Sequence, residues 1–186
     1  MASVSYNECV TKYSDSFVRV VISDEYLQRI KLLAESIVEA KLTEGHHMVD
    51  NSQELKRFTT GLMGEAALEK LLGISIIDWT VGNSNHYHHP DIPGYSIGIK
   101  TVEKGKFPII FKSNHYPQII CIRADYRDDL VFVCGLATAN VLNNYQSDDL
   151  ILDPKLRARG TKTGFWGFHY LSPVRSVNDI ARYKHD

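Results

Sequence analysis

The sequence predicts a mixed α/β fold in which helices pack on a central sheet, and three features carry that reading. Apolar residues recur at helical spacing in two segments between Ser23 and Leu72. Four β-branched or apolar runs follow: Ile97 to Val102, Phe107 to Phe111, Gln118 to Ile122, and Leu130 to Leu136. The connections between them are polar and contain Pro, Gly or Asp. With 186 residues the chain suffices for one well-buried domain and is short for two. It divides into a helical part at about 23–73, a sheet core at about 74–137, and a basic and aromatic segment at about 155–171.

A hydrophobic share of 44% and an aromatic share of 10% are those of a globular protein, and a net charge of -1 excludes a globally basic nucleic-acid coat. An anionic partner must therefore meet a local patch. Three cysteines, Cys9, Cys121 and Cys134, suggest neither a disulfide framework nor a cysteine zinc site. There is no basic leader followed by an apolar run and no apolar stretch of about 20 residues, so a soluble, cytoplasmic protein is expected.

In order along the chain, Phe17 to Ile22 reads as a short strand, and Ser23 as the N-cap of a helix carrying Leu27, Ile30, Leu33 and Ile37. Asn51 and Glu54 resemble a capping box that opens a second helix, which runs to Leu72 and stops at Gly73. Ile74 to Val81 reads as a strand. His88 to Thr101 reads as a hairpin turning at Pro93-Gly94, and Pro108 assigns its run to an edge or an early strand position. Thr138 to Tyr145 reads as a short helix. Lys155 to Lys162 carries four positive charges in eight residues and runs into Phe165 to Tyr170. Those aromatics either stack on bases beside a phosphate backbone or form a last core strand with the basic run as a solvated loop.

Three charged residues fall where charge is expensive. Glu65 lies on the apolar stripe of the second helix with Phe58, Gly61, Leu68 and Leu72, and a core-facing carboxylate must be paired, protonated or metal-bound. Gly61 and Gly64, costly inside a helix, suggest close approach by another backbone or a ligand. Lys100 sits inside an apolar strand. A four-residue loop from Pro93 to Ser96 would set Asp91 opposite Gly98, one same-face step from Lys100. Two rival groupings are weaker: His86, His88 and His89 with Asp91 match no zinc spacing, and Asp78, an alternative to Asp91, has no strand lysine nearby.

The ordered set of helix glutamate, Pro90-Asp91 and the strand Ile97-Gly98-Ile99-Lys100 resembles the PD-(D/E)XK nuclease superfamily over about residues 55–137, and Gly61 to Ala67 looks like the helix motif of many members. The resemblance implies a restriction-endonuclease-like central mixed β-sheet flanked by helices, and a magnesium-dependent endonuclease acting on DNA, with manganese as a substitute metal. It implies that Glu65, Asp91 and the Ile99 backbone carbonyl hold the metal, and that Lys100 orients the attacking water. Lys104, Lys106, Arg157, Arg159 and Lys162 are further candidates for backbone contacts. One position departs from the pattern: the second acid, two residues before the lysine, is Gly98. Glu103 points to the opposite strand face, which leaves Glu65 as the better second carboxylate. The alternative is an inactive nuclease-fold protein that binds DNA or a protein partner. A homodimer suits cutting of both strands, and the compact chain suits a phage or mobile element acting in the host cytoplasm.

Overall fold

A computed structural model describes residues 4–43, 51–80 and 90–185. The fold is mixed α/β, with a four-stranded mixed sheet flanked by helices. A short helix α1 (Tyr6–Cys9) and a 3-10 turn lead into β1 (Val18–Val21). Two long helices follow, α2 (Asp24–Thr43) and α3 (Asn51–Leu72). The Ser23 hydroxyl accepts the Tyr26 N–H at 3.3 Å at the start of α2, and Gly73, with φ at 68°, ends α3 in the left-handed region. The strands of the main sheet are β2 (Gly98–Glu103), β4 (Gln118–Arg123) and β5 (Leu130–Ala137) together with β1, in the order β1-β5-β4-β2. Strand β2 runs parallel to β4, and the other pairs are antiparallel.

This sheet is buried on both faces, as its nearly unbroken apolar strands require. Ile119 and Cys121 of β4 join Ile97, Met63, Leu68, Ile30 and Leu33 in a core under α2 and α3. Ile120 and Ile122 face the other way, toward Phe17, Phe165 and Phe168. That second face is closed by a three-stranded sheet: β3 (Ile109–Phe111), which falls in the run expected at Phe107 to Phe111, β7 (Lys162–Phe165) and β6 (Gln146–Ser147), in the order β3-β7-β6. Helices α4 (Ala139–Asn144), capped by Thr138, and α5 (Pro154–Ala158) complete the description. Phe165 and Phe168 are therefore core residues and the basic run before them is largely exposed, the second of the two readings above.

Two expectations are corrected. Residues 74–80 form no strand, because the Glu69 carboxylate accepts the Ile76 and Ile77 N–H groups, each at 2.7 Å, and holds that segment as an irregular connection. The same carboxylate accepts the Tyr26 hydroxyl, and burial followed by this bond pushes the phenol up to about 12. Nor is β2 half of a hairpin. It pairs in parallel with β4, and residues 90–96 reach it as a turn in which the Ile92 N–H meets the Ile97 carbonyl at 3.3 Å, bracketing the expected Pro93–Ser96 loop.

Helix α3 crosses β2 at very short range. A Cβ added at Gly64 would lie 1.7 Å from Thr101 Oγ1, so only glycine fits there, whereas nothing approaches Gly61. At the other end of the crossing, Lys56 pairs with Glu103 at 2.7 Å. Gly64→Ala is expected to destabilise the protein by roughly 2–4 kcal/mol through overpacking, and adding Thr101→Ala to recover about 1 kcal/mol or more. Urea unfolding midpoints measure both; a midpoint unmoved by Gly64→Ala would contradict the contact.

Candidate functional site

Strand β2 is an edge strand, and its open side is where the charged residues gather. The Gly98 N–H is turned inward to the Pro117 carbonyl at 2.9 Å, so strand alternation turns both the N–H and C=O of Ile99 outward. Asp91 takes that N–H: its Oδ2 accepts from Ile99 at 2.6 Å. The turn before the strand thus fixes Asp91 against the strand's own backbone, leaving its Oδ1 without a hydrogen bond among the described residues and the Ile99 carbonyl on the same side.

Glu65 arrives from the opposite direction. The Gly64 contact seats α3 on β2, and the next residue projects toward Asp91. Burial, followed by the negative charges of Asp91, Glu69 and Asp78, pushes its carboxyl up to about 8. It makes no hydrogen bond or ion pair with any described residue. Asp91 is itself raised, by partial desolvation although its side chain still reaches solvent, against the Ile99 N–H and the Lys100 charge that favour its ionised form.

Lys100 lies on the β2 face that Gly98 and Val102 share. Burial, then the positive charge of Lys162, brings its ammonium down to about 8, with Asp91 acting the other way and Arg57 adding to the fall. Lys100 likewise forms no ion pair among the described residues. Glu65 and Lys100 are each within electrostatic reach of Asp91, yet no two of the three are directly bonded.

The other sequence candidates fall elsewhere. Lys104 and Lys106 follow the far end of β2, paired with Asp125 at 3.6 Å and Glu103 at 2.6 Å. Glu103, held by Lys56 and Lys106 and lowered by their hydrogen bonds against its own burial, supplies no acid to the site. Arg157 donates to the Asp149 and Ile151 carbonyls and braces its own loop, while Arg159 is exposed at the end of α5. Among these basic residues, Lys162 on β7 is the one whose charge reaches Lys100. Asp78 accepts from Thr80 N and Oγ1 at 2.8 and 2.7 Å and lies near enough to Glu65 to raise it. His86, His88 and His89 lie outside the described residues. Sequence reasoning missed Glu69, whose signal was its position one helical turn beyond Glu65.

As a donor set, two carboxylates and a backbone carbonyl suit a hard divalent cation that retains several waters. Among the described residues, no three His, Cys, Asp or Glu side chains converge closely enough to enclose an ion by themselves. The residues present fit magnesium in this open form, since a cation would compensate the repulsion between Glu65 and Asp91. They do not form a closed zinc site.

In metal-free protein the raised Glu65 pKa gives a signed prediction. Its folded value of about 8 exceeds the ordinary 4.5, so the stability it contributes is complete at low pH and lost as pH rises through about 8. Glu65→Gln is expected to match wild type near pH 5 and exceed it by ~2 kcal/mol at pH 8. Magnesium is expected to narrow that gap by stabilising wild type alone. Thermal unfolding across pH, with and without the metal, measures both effects; a gap unchanged from pH 5 to pH 8 would contradict the buried, unpaired state.

No family model matches the chain, and neither does any curated protein or solved structure.

Proposed function

We propose that the protein is a metal-dependent endonuclease that hydrolyses DNA phosphodiester bonds, on a restriction-endonuclease-like arrangement of sheet and helices. The observation that carries this reading is the gathering of Glu65, Asp91 and Lys100 at the open edge of β2 with none of them directly paired. Phosphodiester hydrolysis needs an activated water, neutralisation of charge on the phosphate oxygens, and stabilisation of the leaving alkoxide. Bound magnesium supplies Lewis-acid neutralisation of the phosphate and acidifies water.

The chain's own residues supply the rest. Asp91, oriented through the Ile99 N–H, and Glu65, held by the α3 crossing, would hold the cation with the Ile99 carbonyl. Lys100, whose pKa of about 8 lies near working pH, can both steady the attacking water and offset charge at the scissile phosphate. Lys162 and Arg57 add positive potential that draws the phosphate toward Lys100.

The specific observation favouring the alternative, a binding protein without activity, is Gly98. A Cβ there would meet Gln118 Cγ at 3.2 Å and Asp91 Oδ2 and Tyr116 Cε2 at 3.4 Å, so the position borders the site and carries no acid. The readings separate on incubation of supercoiled and single-stranded DNA with magnesium, manganese or chelator. Cleavage by wild type is expected with either metal and not with chelator. Asp91→Asn and Lys100→Met are each expected to lower the rate at least ~100-fold, and linear rather than nicked plasmid would indicate two cooperating copies. DNA binding without cleavage in any metal would replace the enzyme with the binding protein.

A further inference from the structure

The small second sheet presents an aromatic ring and a cation side by side. Phe111 and Lys162 are directly opposite partners in the β3–β7 ladder, so their side chains share a face. Lys162 Nζ stands 5.2 Å from the centre of the Phe111 ring, and Phe111 is 56% exposed at the outer strand of its sheet. An exposed phenyl on an edge strand is a liability that proteins ordinarily bury or replace with charge.

The cation beside it differs from two of its lysine neighbours in pairing. Lys104, which stands over the exposed Tyr126 ring, is paired with Asp125, and Lys112 is paired with Asp148 at 2.6 Å. Lys162 has no acidic partner among the described residues, and its charge acts on Lys100 more strongly than any other. The ring and the ammonium therefore stand together on the face of the small sheet opposite Ile110, with the ammonium in electrostatic reach of Lys100.

The backbone behind the ring is held firmly. Buried Asn114 donates to the Phe111 carbonyl at 2.8 Å and to Asn143 Oδ1 at 3.1 Å, and Asn143 donates back to the Asn114 carbonyl at 3.0 Å. These bonds tie the segment after β3 to α4. The same connection ends at Tyr116, whose ring edge lies 3.4 Å from the place of a Gly98 Cβ. Aromatic rings therefore stand at both ends of one braced connection, the second of them against Gly98 and Asp91.

We propose that Phe111 and Lys162 form a nucleotide subsite beside Glu65, Asp91 and Lys100, in which the ring stacks on an unpaired base and the ammonium holds the adjoining phosphate. The subsite rests on the nucleic-acid reading above and narrows its substrate to single-stranded or locally unpaired DNA. A lysine serves any phosphate, but a ring is useful only where a base face is uncovered, because duplex bases already stack on one another. Stacking on one aromatic contributes ~1–3 kcal/mol per base, enough to set the preference between strands.

The test is equilibrium binding in chelator, so that cleavage does not intervene, read by fluorescence anisotropy. Three probes are used: a single-stranded oligonucleotide, its blunt duplex, and a strand of equal length with abasic positions, which keeps the phosphates and removes the bases. Wild type is expected to prefer the intact single strand. Phe111→Ala is expected to weaken that probe roughly 5- to 100-fold and leave the other two unchanged, while Phe111→Trp retains binding. Lys162→Ala is expected to weaken all three and lower the salt slope by about one. Equal binding of the single strand by wild type and Phe111→Ala, or equal loss on the abasic strand, overturns the stacking role while leaving the DNA reading standing. Absence of DNA binding by wild type overturns both. Phe111-dependent binding with no cleavage in any metal keeps the subsite and removes the enzyme.

Discussion

The structure depends on the close seating of α3 against β2. Thr101 occupies the space where any side chain at Gly64 would have to go, and Lys56 with Glu103 secures the other end of the crossing. A helix held at two points along one strand has little freedom to slide or rotate, so the position of Glu65 follows from the backbone and not from a bond of its own. Asp91 is placed independently, through the Ile99 N–H. Two carboxylates are thereby brought toward each other by anchors that involve neither one's partner, and their repulsion is offset by the apolar layers on both faces of the sheet.

Pairing separates the site from the other charges more sharply than residue type does. Glu69 spends its oxygens on two backbone amides and a phenol, Asp179 accepts from the Arg175 and Ser176 amides, and Asp129 receives two hydrogen bonds from Arg127. Each of these acids has a structural task. Glu65 has none, although it is withdrawn from water in the company of three other acids. Unpaired, desolvated charge is tolerated in a folded chain chiefly where a ligand completes it.

Much of this was legible in the sequence, and the reasons differ by element. Helices α2 and α3 announce themselves through the Ser23 cap, the Gly73 stop and a long apolar stripe, all local signals. Strands β2, β4 and β5 are long enough for their β-branched runs to stand out. In the second sheet β3 was legible as the apolar run that Pro108 assigns to an edge, whereas β6, with two residues, was not, because a pairing that short is decided by what it covers. The strand expected at Ile74 to Val81 is absent over the described residues 74–80 because a carboxylate five residues before Ile74 takes the amides that a ladder would use. Glu65, Asp91 and Lys100 stand out in the sequence because each breaks an apolar pattern, whereas Lys162 could not be told from its basic neighbours until β7 set it opposite Phe111.

Gly98 bears on what such a site can hold. A third acid there would stand beside Asp91 and add to the repulsion that already raises Glu65 and Asp91, and it would share the β2 face with Lys100. Such a residue would draw the lysine toward itself and away from a phosphate. With glycine at that position, Gln118 Cγ and Tyr116 Cε2 stand 3.2 and 3.4 Å from the place a side chain would take. Lys100 then lies in the field of Lys162 and Arg57, with Asp91 as the acid that acts on it. Around Lys100 the field favours an anion, while Glu65 and Asp91 on the other side favour a cation. A phosphate and a divalent metal bound together satisfy both halves. On the proposed nuclease reading, the glycine therefore shifts the balance toward the phosphate, and a metal would be held more firmly with DNA present than without it.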